Sequence, residues 1–288
     1  MKRTWVVLGQ GGFLGRHLMR QLEGRGDVRG FGRPTLDLRR RETLSLLDPH
    51  MGPNTVVIFA SCLTPEHCKE PGGVTDNVAM AANVASYLEK HPVERLAYVS
   101  SDAVYPLIDA AITEATPLNA DNYYALSKLA SERLLQLASC AKRWPLLIAR
   151  PSGIYGPGDT HNAYGPNRFV SSIVAERTLR MFGEGEETRD HVYVDDVCRV
   201  VAELVESGAS GAFNVVTGRA VPFGTIVSIL KELARFEFRV ESQPRKGAIT
   251  HRTFDPAKLR AELPNFKFTE LRDGLKSLLN AVLAEKKS

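Results

Sequence analysis

The chain has 288 residues, 37 Lys plus Arg against 33 Asp plus Glu for a net charge of +4, and a composition 43% apolar and 24% charged. That is one large domain or two unequal ones, with enough chain to bury a core without disulfide or metal staples, and it excludes a disordered chain. The mild positive excess, with acidic residues interspersed, gives no footprint for nucleic acid.

An apolar strand is expected at 4–8, where the stretch Trp5-Val6-Val7-Leu8 is far too short to span a bilayer. It meets glycines at Gly9 instead of the apolar region and cleavage site of a signal peptide, so a cytoplasmic protein is expected. A glycine turn at 9–12, a helix at 13–23 and a strand at 27–31 follow, which is half of a βαβ unit. The run Arg39-Arg40-Arg41 beside Glu42 reads as a solvated helix start or loop face, or as a basic rim for an anionic ligand. Strands at 55–60, 96–100 and 146–150 alternate with helices at 75–89 and 123–141, so the fold class is α/β, a doubly wound, mostly parallel sheet of Rossmann type. Residues 151–192 are rich in Gly, Pro, Asn and His, with a helix at 169–178. Beyond them come a helix at 195–206, a strand at 212–216, a helix at 223–233, a strand at 236–241 and a helix at 269–285. The expected division is a dinucleotide-binding domain over 1–165, including the catalytic helix, and a smaller α/β substrate lobe over 166–288, with 190–196 returning to the core sheet. Cys62, Cys68, Cys140 and Cys198 form no CxxC pair, so neither a disulfide framework nor a structural zinc is expected.

Three patterns carry chemistry. Gly9-Gln10-Gly11-Gly12-Phe13-Leu14-Gly15 follows a strand and opens a helix: Gly9 permits the tight turn, Gly12 lets amides approach a pyrophosphate, and Gly15 allows close packing. No Gly-Lys-Ser/Thr follows, so this is no Walker loop. At the end of the second strand, where a carboxylate would hold the adenosine ribose diol, stand Gly32 and Arg33. A guanidinium there pairs with a 2′-phosphate and favours NADP(H), with NAD(H) as the alternative if Arg33 is one more surface arginine. Asp37 and Leu38 lie across the adenine, or belong to a helix-capping stretch. Finally, Tyr124 and Lys128 stand four apart on one helix face, with Ser101 closing a strand. A lysine beside the phenol favours phenolate, so Tyr124 can act as acid or base while Ser101 holds the reacting oxygen.

With those residues in view, the chain resembles the extended short-chain dehydrogenase/reductase family, the nucleotide-sugar epimerase/dehydratase/reductase group. The matches are the three glycines, Asn77-Val78 with Asn83, Ser100-Ser101-Asp102-Ala103-Val104-Tyr105, Tyr124 with Lys128, the 150–159 run from Arg150-Pro151, and the 189–197 run from Arg189-Asp190. The resemblance implies a catalytic trio of Ser101, Tyr124 and Lys128. It implies a cofactor site of Gly9, Gly11, Gly12, Phe13, Leu14, Gly15, Arg33, Asp37, Leu38, Phe59, Ala60, Ser61, Asn77, Val99, Tyr124, Lys128, Pro151, Gly153 and Ile154. Substrate contacts are implied at Ser101, Asp102, Ala103, Asn167, Arg168 and Arg189, the last on the diphosphate or, blandly, in a surface pair with Asp190. The partner implied is a nucleotide-diphosphate sugar, with a homodimer through the helices at 75–89 and 123–141, no membrane and no nucleic acid.

Departures narrow the reaction. Dehydratases of the group follow the active-site Ser/Thr with Asp-Glu, whereas here Asp102 is followed by Ala103, which disfavours elimination. Phe59 stands where His is common, and Pro106 where Gly is. His161 and His191 lack metal-ligand spacing and read as loop hydrogen-bonders. The favoured function is NADP(H)-dependent reduction of the 4-keto group of a nucleotide-activated deoxyhexose. The alternative is a nucleotide-sugar 4-epimerase working through a transient 4-keto intermediate, and a minor one is a non-catalytic dinucleotide-binding sensor.

Overall fold

A computed structural model describes residues 2–159, 165–245 and 247–286. In chain order it contains β1 (Thr4–Leu8), α1 (Phe13–Gln21), β2 (Asp27–Phe31), a 3-10 helix at Arg41–His50, β3 (Gly52–Phe59), α2 (Pro71–Leu88), β4 (Val93–Val99), a 3-10 turn at Asp102–Val104, α3 (Tyr123–Lys142) and β5 (Leu146–Pro151). The remainder is β6 (Gly153–Tyr155), α4 (Pro166–Glu176), β7 (Thr178–Phe182), β8 (Thr188–Arg189), β9 (His191–Tyr193), α5 (Val194–Ser207), β10 (Gly211–Val215), β11 (Val221–Pro222), α6 (Phe223–Leu233), β12 (Arg239–Gln243), α7 (Ala257–Glu262) and α8 (Leu271–Glu285).

Six parallel strands form the central sheet in the order β10-β5-β4-β3-β1-β2. Both faces are covered, as a parallel sheet requires. Along β1 the side chains alternate: Trp5 and Val7 pack with Leu18 of α1 and Val197 and Val201 of α5, while Val6 and Leu8 pack with Ala81 and Val84 of α2. The chain winds outward from β1 in both directions, towards β2 on one side and β3 on the other, so the crevice beyond the carboxyl ends of β1 and β3 is the switch point where such sheets take ligands. A second core, built by α4, β7, α6 and α8 around Phe169, Ile173, Ile226, Leu230, Leu275 and Leu278, makes the smaller lobe.

The helix expected at 169–178 runs over Pro166–Glu176, and 178–182, for which no element was expected beyond residue 178, is a strand; it pairs in parallel with 239–243, which starts three residues later than the strand expected at 236–241. Leu179 is the only fully buried residue of that pair, so the solvated faces leave little period-two signal. The 190–196 region pairs with β6 in a two-stranded ribbon, and it is α5 and β10 that rejoin the main layer. Among the described residues no helix is long and apolar enough to cross a membrane.

The sheet and helix layers are also pinned by polar groups at full burial. Arg150 on β5 and Glu132 on α3, 3% and 1% exposed, form a two-pronged ion pair at 3.0 and 2.6 Å. Arg150 also donates to the Tyr105 hydroxyl at 2.7 Å, which donates in turn to Asn214 on β10 at 2.8 Å.

Candidate active site

Gly9 has φ +102°, a left-handed conformation that a side chain resists, and its carbonyl would lie 1.9 Å from a Cβ on residue 15. Glycine at both places lets α1 start tight against the turn. Its first amides, from Phe13 onward, have no partner within the helix and face the crevice. A cleft of ≈ 330 Å³ opens there, lined by Gly9, Gly11, Gly12, Gly32, Arg33, Asp37, Leu38, Arg39, Ala60, Ser61, Cys62 and Met80, among others. Asp37 faces it, but Arg39 donates to both of its carboxylate oxygens, at 3.0 and 2.7 Å, and holds the carboxyl down at about 2. Arg39 reaches Asp76 as well. The adenosine end therefore presents Arg33 and a carboxylate already paired, a surface that accepts an extra phosphate. Cleft, glycine cradle and cations together fit a dinucleotide.

α3 begins where it does because the Asn122 side chain accepts from the Ala125 amide at 2.9 Å. That cap places Tyr124 and Lys128 in the first two turns. Lys128 is 2% exposed, donates to the Val99 carbonyl at 2.8 Å, and sits 4.9 and 5.9 Å from the centres of the Tyr98 and Tyr124 rings. Ser101 closes β4; its hydroxyl oxygen accepts from the Ala103 amide at 3.1 Å and its proton points to Asp102 at 3.3 Å. Burial pushes the Tyr124 phenol above its ordinary value, and the Lys128 cation and the Ser101 hydroxyl offset this only in part. Burial alone would lower Lys128, but Cys62 and the two tyrosines hold it up, so the pair is a phenol beside an ammonium. The lysine favours the phenolate, as expected, and desolvation opposes it.

The cofactor positions divide. Gly9, Gly11, Gly12, Arg33, Asp37, Leu38, Ala60 and Ser61 line the cleft. Phe13 packs edge-on to His17 and Leu14 rests on the core, so only their backbones face the turn, and Gly15 is a packing glycine. Phe59 turns its ring into the core, 5.1 Å from Tyr98; Val99 contributes its carbonyl, and Pro151 is buried in β5. Ile154 packs on the core while Gly153 is exposed.

Asn77 and Asn167 also have structural partners. The Asn77 amide accepts from Leu63 N at 2.7 Å and donates to Leu63 O and Ser127 Oγ, which knits the loop after β3 to α2 and α3. Asn167, 6% exposed, bonds both the amide and the carbonyl of Gly156 and fixes that loop.

Arg168 is exposed on α4. Arg189 donates to the Thr250 carbonyl and hydroxyl at 2.7 and 2.8 Å. Asp190 is not at the surface: it is 1% exposed and accepts from Ser152, Thr217, Gly218 and Arg219. Asp102 and Ala103 lie half-buried beside Ser101, and the Asp102 carboxylate is 2.8 Å from Arg252. His161 lies outside the described residues. His191 opens β9 rather than a loop, and burial lowers it to about 4, a neutral ring among Tyr155 and Phe223.

Of the Arg39-Arg40-Arg41 run, Arg39 lines the cleft, in keeping with the basic-rim reading. Sequence reasoning missed Cys62, Met80 and Arg252; the last lies in coil without a local pattern.

A profile of the NAD dependent epimerase/dehydratase family matches residues 5–216. Among curated relatives, GDP-6-deoxy-D-mannose reductase of Pseudomonas aeruginosa is 25% identical over 268 residues, 85% of each chain. UDP-glucose 4-epimerase of Dictyostelium discoideum is 29% identical over 225 residues, 69% of this chain and 65% of that one. The solved structure of RMD from Pseudomonas aeruginosa complexed with NADPH superposes with a TM-score of 0.85 at 23% identity, covering 98% of this chain and 99% of that one. With the glycine cradle, the six-stranded sheet and a profile spanning most of the chain in agreement, the protein belongs to the NAD dependent epimerase/dehydratase family, among the extended short-chain dehydrogenase/reductase enzymes.

Proposed function

We propose that this enzyme reduces the 4-keto group of a nucleotide-activated deoxyhexose with NADPH. The observation that carries the proposal is the placement of the Tyr124 phenol beside the Ser101 turn and Lys128: carbonyl reduction consumes a proton at the new hydroxyl, and a phenol placed there is its donor. A bound nicotinamide supplies the hydride. Ser101 donates to the carbonyl oxygen, Tyr124 delivers the proton to it, and the Lys128 ammonium stabilises the phenolate left behind. Ala103 leaves no second carboxylate beside Asp102, which speaks against dehydration. The GDP-6-deoxy-D-mannose reductase relative supports the substrate class.

The 4-epimerase reading rests on the epimerase relatives and on the same proton relay. A panel of 4-keto and non-keto nucleotide hexoses, followed by NADPH absorbance and by NMR of products, separates the two. Stoichiometric NADPH oxidation selects the reductase; isomer formation without net oxidation selects the epimerase. Dinucleotide binding without turnover on the whole panel selects the sensor.

NADP(H) in place of NAD(H) rests on Arg33. Arg33→Ala is expected to raise the NADPH KM about tenfold, the worth of one charge-assisted hydrogen bond at an exposed site, and to leave the NADH KM unchanged. Equal effects on both cofactors would remove Arg33 from the 2′-phosphate.

Residues 1–165 are assigned to the dinucleotide and the proton relay and 166–288 mainly to substrate, in a cytoplasmic setting. We further assign a homodimer through α2 and α3, supported by the apolar groove of Val74, Val78, Ala82, Tyr123 and Leu126, where Tyr123 and Leu126 are 44% and 45% exposed. Leu126→Glu should convert a dimer into a monomer in sedimentation equilibrium; a wild-type chain already monomeric would end the dimer assignment.

A further inference from the structure

The segment from Thr250 to Asp255 crosses from the smaller lobe onto the catalytic loop as a strap. On one side Arg189 grips Thr250, the His251 ring meets the Thr188 hydroxyl at 2.9 Å, and the Arg252 amide donates to the Thr188 carbonyl at 3.0 Å. On the other side Ile112 donates to the Thr253 carbonyl at 2.9 Å and accepts from the Asp255 amide at 3.0 Å. Between these anchors the Arg252 side chain, 12% exposed, enters the turn that follows β4.

Its Nη2 donates to the carbonyls of both Asp102 and Tyr105, while Nε stands 2.8 Å from the Asp102 carboxylate as an ion pair. One guanidinium thus holds both ends of the turn whose cap is Ser101 and whose closing bond runs from the Tyr105 amide to the Asp102 carbonyl at 3.0 Å.

We propose that Arg252 is a positioning residue for carbonyl reduction: carried on the strap, it fixes the 101–105 turn, and with it the Ser101 hydroxyl, against Tyr124. The proposal rests on the reductase reading above. Its physical basis is that Ser101 must present its proton to a substrate oxygen within a few tenths of an ångström, although it stands on a short 3-10 turn with little stiffness of its own. Nη2 bonds two carbonyls while the same rigid guanidinium stands as an ion pair beside the Asp102 carboxylate, an arrangement that an ammonium on a flexible stem does not hold.

Asp102 gives the proposal a distinct signature. Burial raises its carboxyl above the ordinary value, and the charged groups facing it, Arg252 first and Arg189 after it, oppose that rise together with the Ser101 hydroxyl. Without Arg252 the carboxyl takes up a proton more readily as pH falls. A protonated Asp102 donates where it now accepts, and turns the Ser101 hydroxyl away from its present orientation.

Arg252→Met, Arg252→Lys and Asp102→Asn test this. Arg252→Met is expected to lower kcat for a 4-keto substrate about ten- to a hundredfold at neutral pH, with the NADPH KM unchanged. It should also move the acid-side fall in kcat to higher pH than in the wild type, a shift that Asp102→Asn in the same chain removes. Arg252→Lys should return the acid-side fall to its wild-type position without restoring full kcat. Hydrogen exchange needs no substrate: the Val104 and Tyr105 amides should exchange faster in Arg252→Met while those of β4 and α1 do not change, which also shows that the variant is folded. Wild-type kcat in Arg252→Met, or a loss with neither the acid-side shift nor faster exchange in the turn, would overturn the proposal. A wild-type enzyme inactive on every 4-keto sugar would instead fail the reductase reading, and the exchange result would still decide whether Arg252 holds the turn.

Discussion

Tyr124→Phe lowers kcat by a factor of about a hundred to ten thousand, the usual worth of a positioned general acid, and leaves the dinucleotide affinity unchanged. The phenyl ring keeps the half-buried volume at the start of α3, so the loss is confined to the proton. The phenol is held above its ordinary value by burial, so the donor form is present throughout the neutral range. The wild-type rate of reduction should fall on the alkaline side as the donor is lost. Stopped-flow NADPH oxidation with a 4-keto nucleotide hexose measures the chemical step, and fluorescence titration with NADPH measures binding. Unchanged turnover in the variant would mean that another group supplies the proton, and Tyr124 would leave the mechanism. Equal losses of turnover and binding would mark it as a cofactor contact instead.

Glu132→Ala should destabilise the fold by about 3–5 kcal/mol, because it strands the Arg150 guanidinium, 3% exposed, with no carboxylate in reach. At roughly 2–4 °C per kcal/mol for a chain of this size, the unfolding midpoint drops by on the order of ten degrees. Glu132→Gln should cost less, since an amide still accepts one bond from Arg150 and keeps the shape. Replacing both members, Glu132→Leu with Arg150→Met, should recover much of the loss, because an apolar pair of similar volume avoids desolvating either charge. Thermal unfolding of the wild type, Glu132→Leu, Arg150→Met and the double variant closes the double-mutant cycle. A single variant within about 1 kcal/mol of wild type would show that water enters to solvate the orphaned cation.

What was legible in the sequence is what repeats locally. Val6 and Leu8 against Trp5 and Val7 announce a strand buried on both faces, the glycines at 9, 12 and 15 mark the turn, and a spacing of four puts Tyr124 and Lys128 on one helix face. Groups whose meaning comes from distant partners were not legible. Arg252 meets Asp102 across 150 positions, and no periodicity encodes that meeting. Asn77 and Asn167 read as ligand contacts from the motifs around them; that both also hold loops in place, one around Leu63 and the other around Gly156, shows only in the fold. The upward push of burial on the Tyr124 phenol depends on the folded surroundings, which the sequence does not state.

The parallel sheet is completed from beyond the substrate-lobe excursion. β10 closes the edge of β5, and Val197, Val200, Val201, Leu204 and Val205 of α5 cover the face that Trp5, Val7 and Val99 present. A ribosome that has released only the first 165 residues has therefore made every glycine of the cradle and the whole proton relay, but neither the lid of that core nor its last strand. Until residue 215 emerges, the nascent chain shows an apolar sheet face and an unpaired edge to solvent or to a chaperone. Function can be assigned to the two halves separately, but they cannot be cut apart.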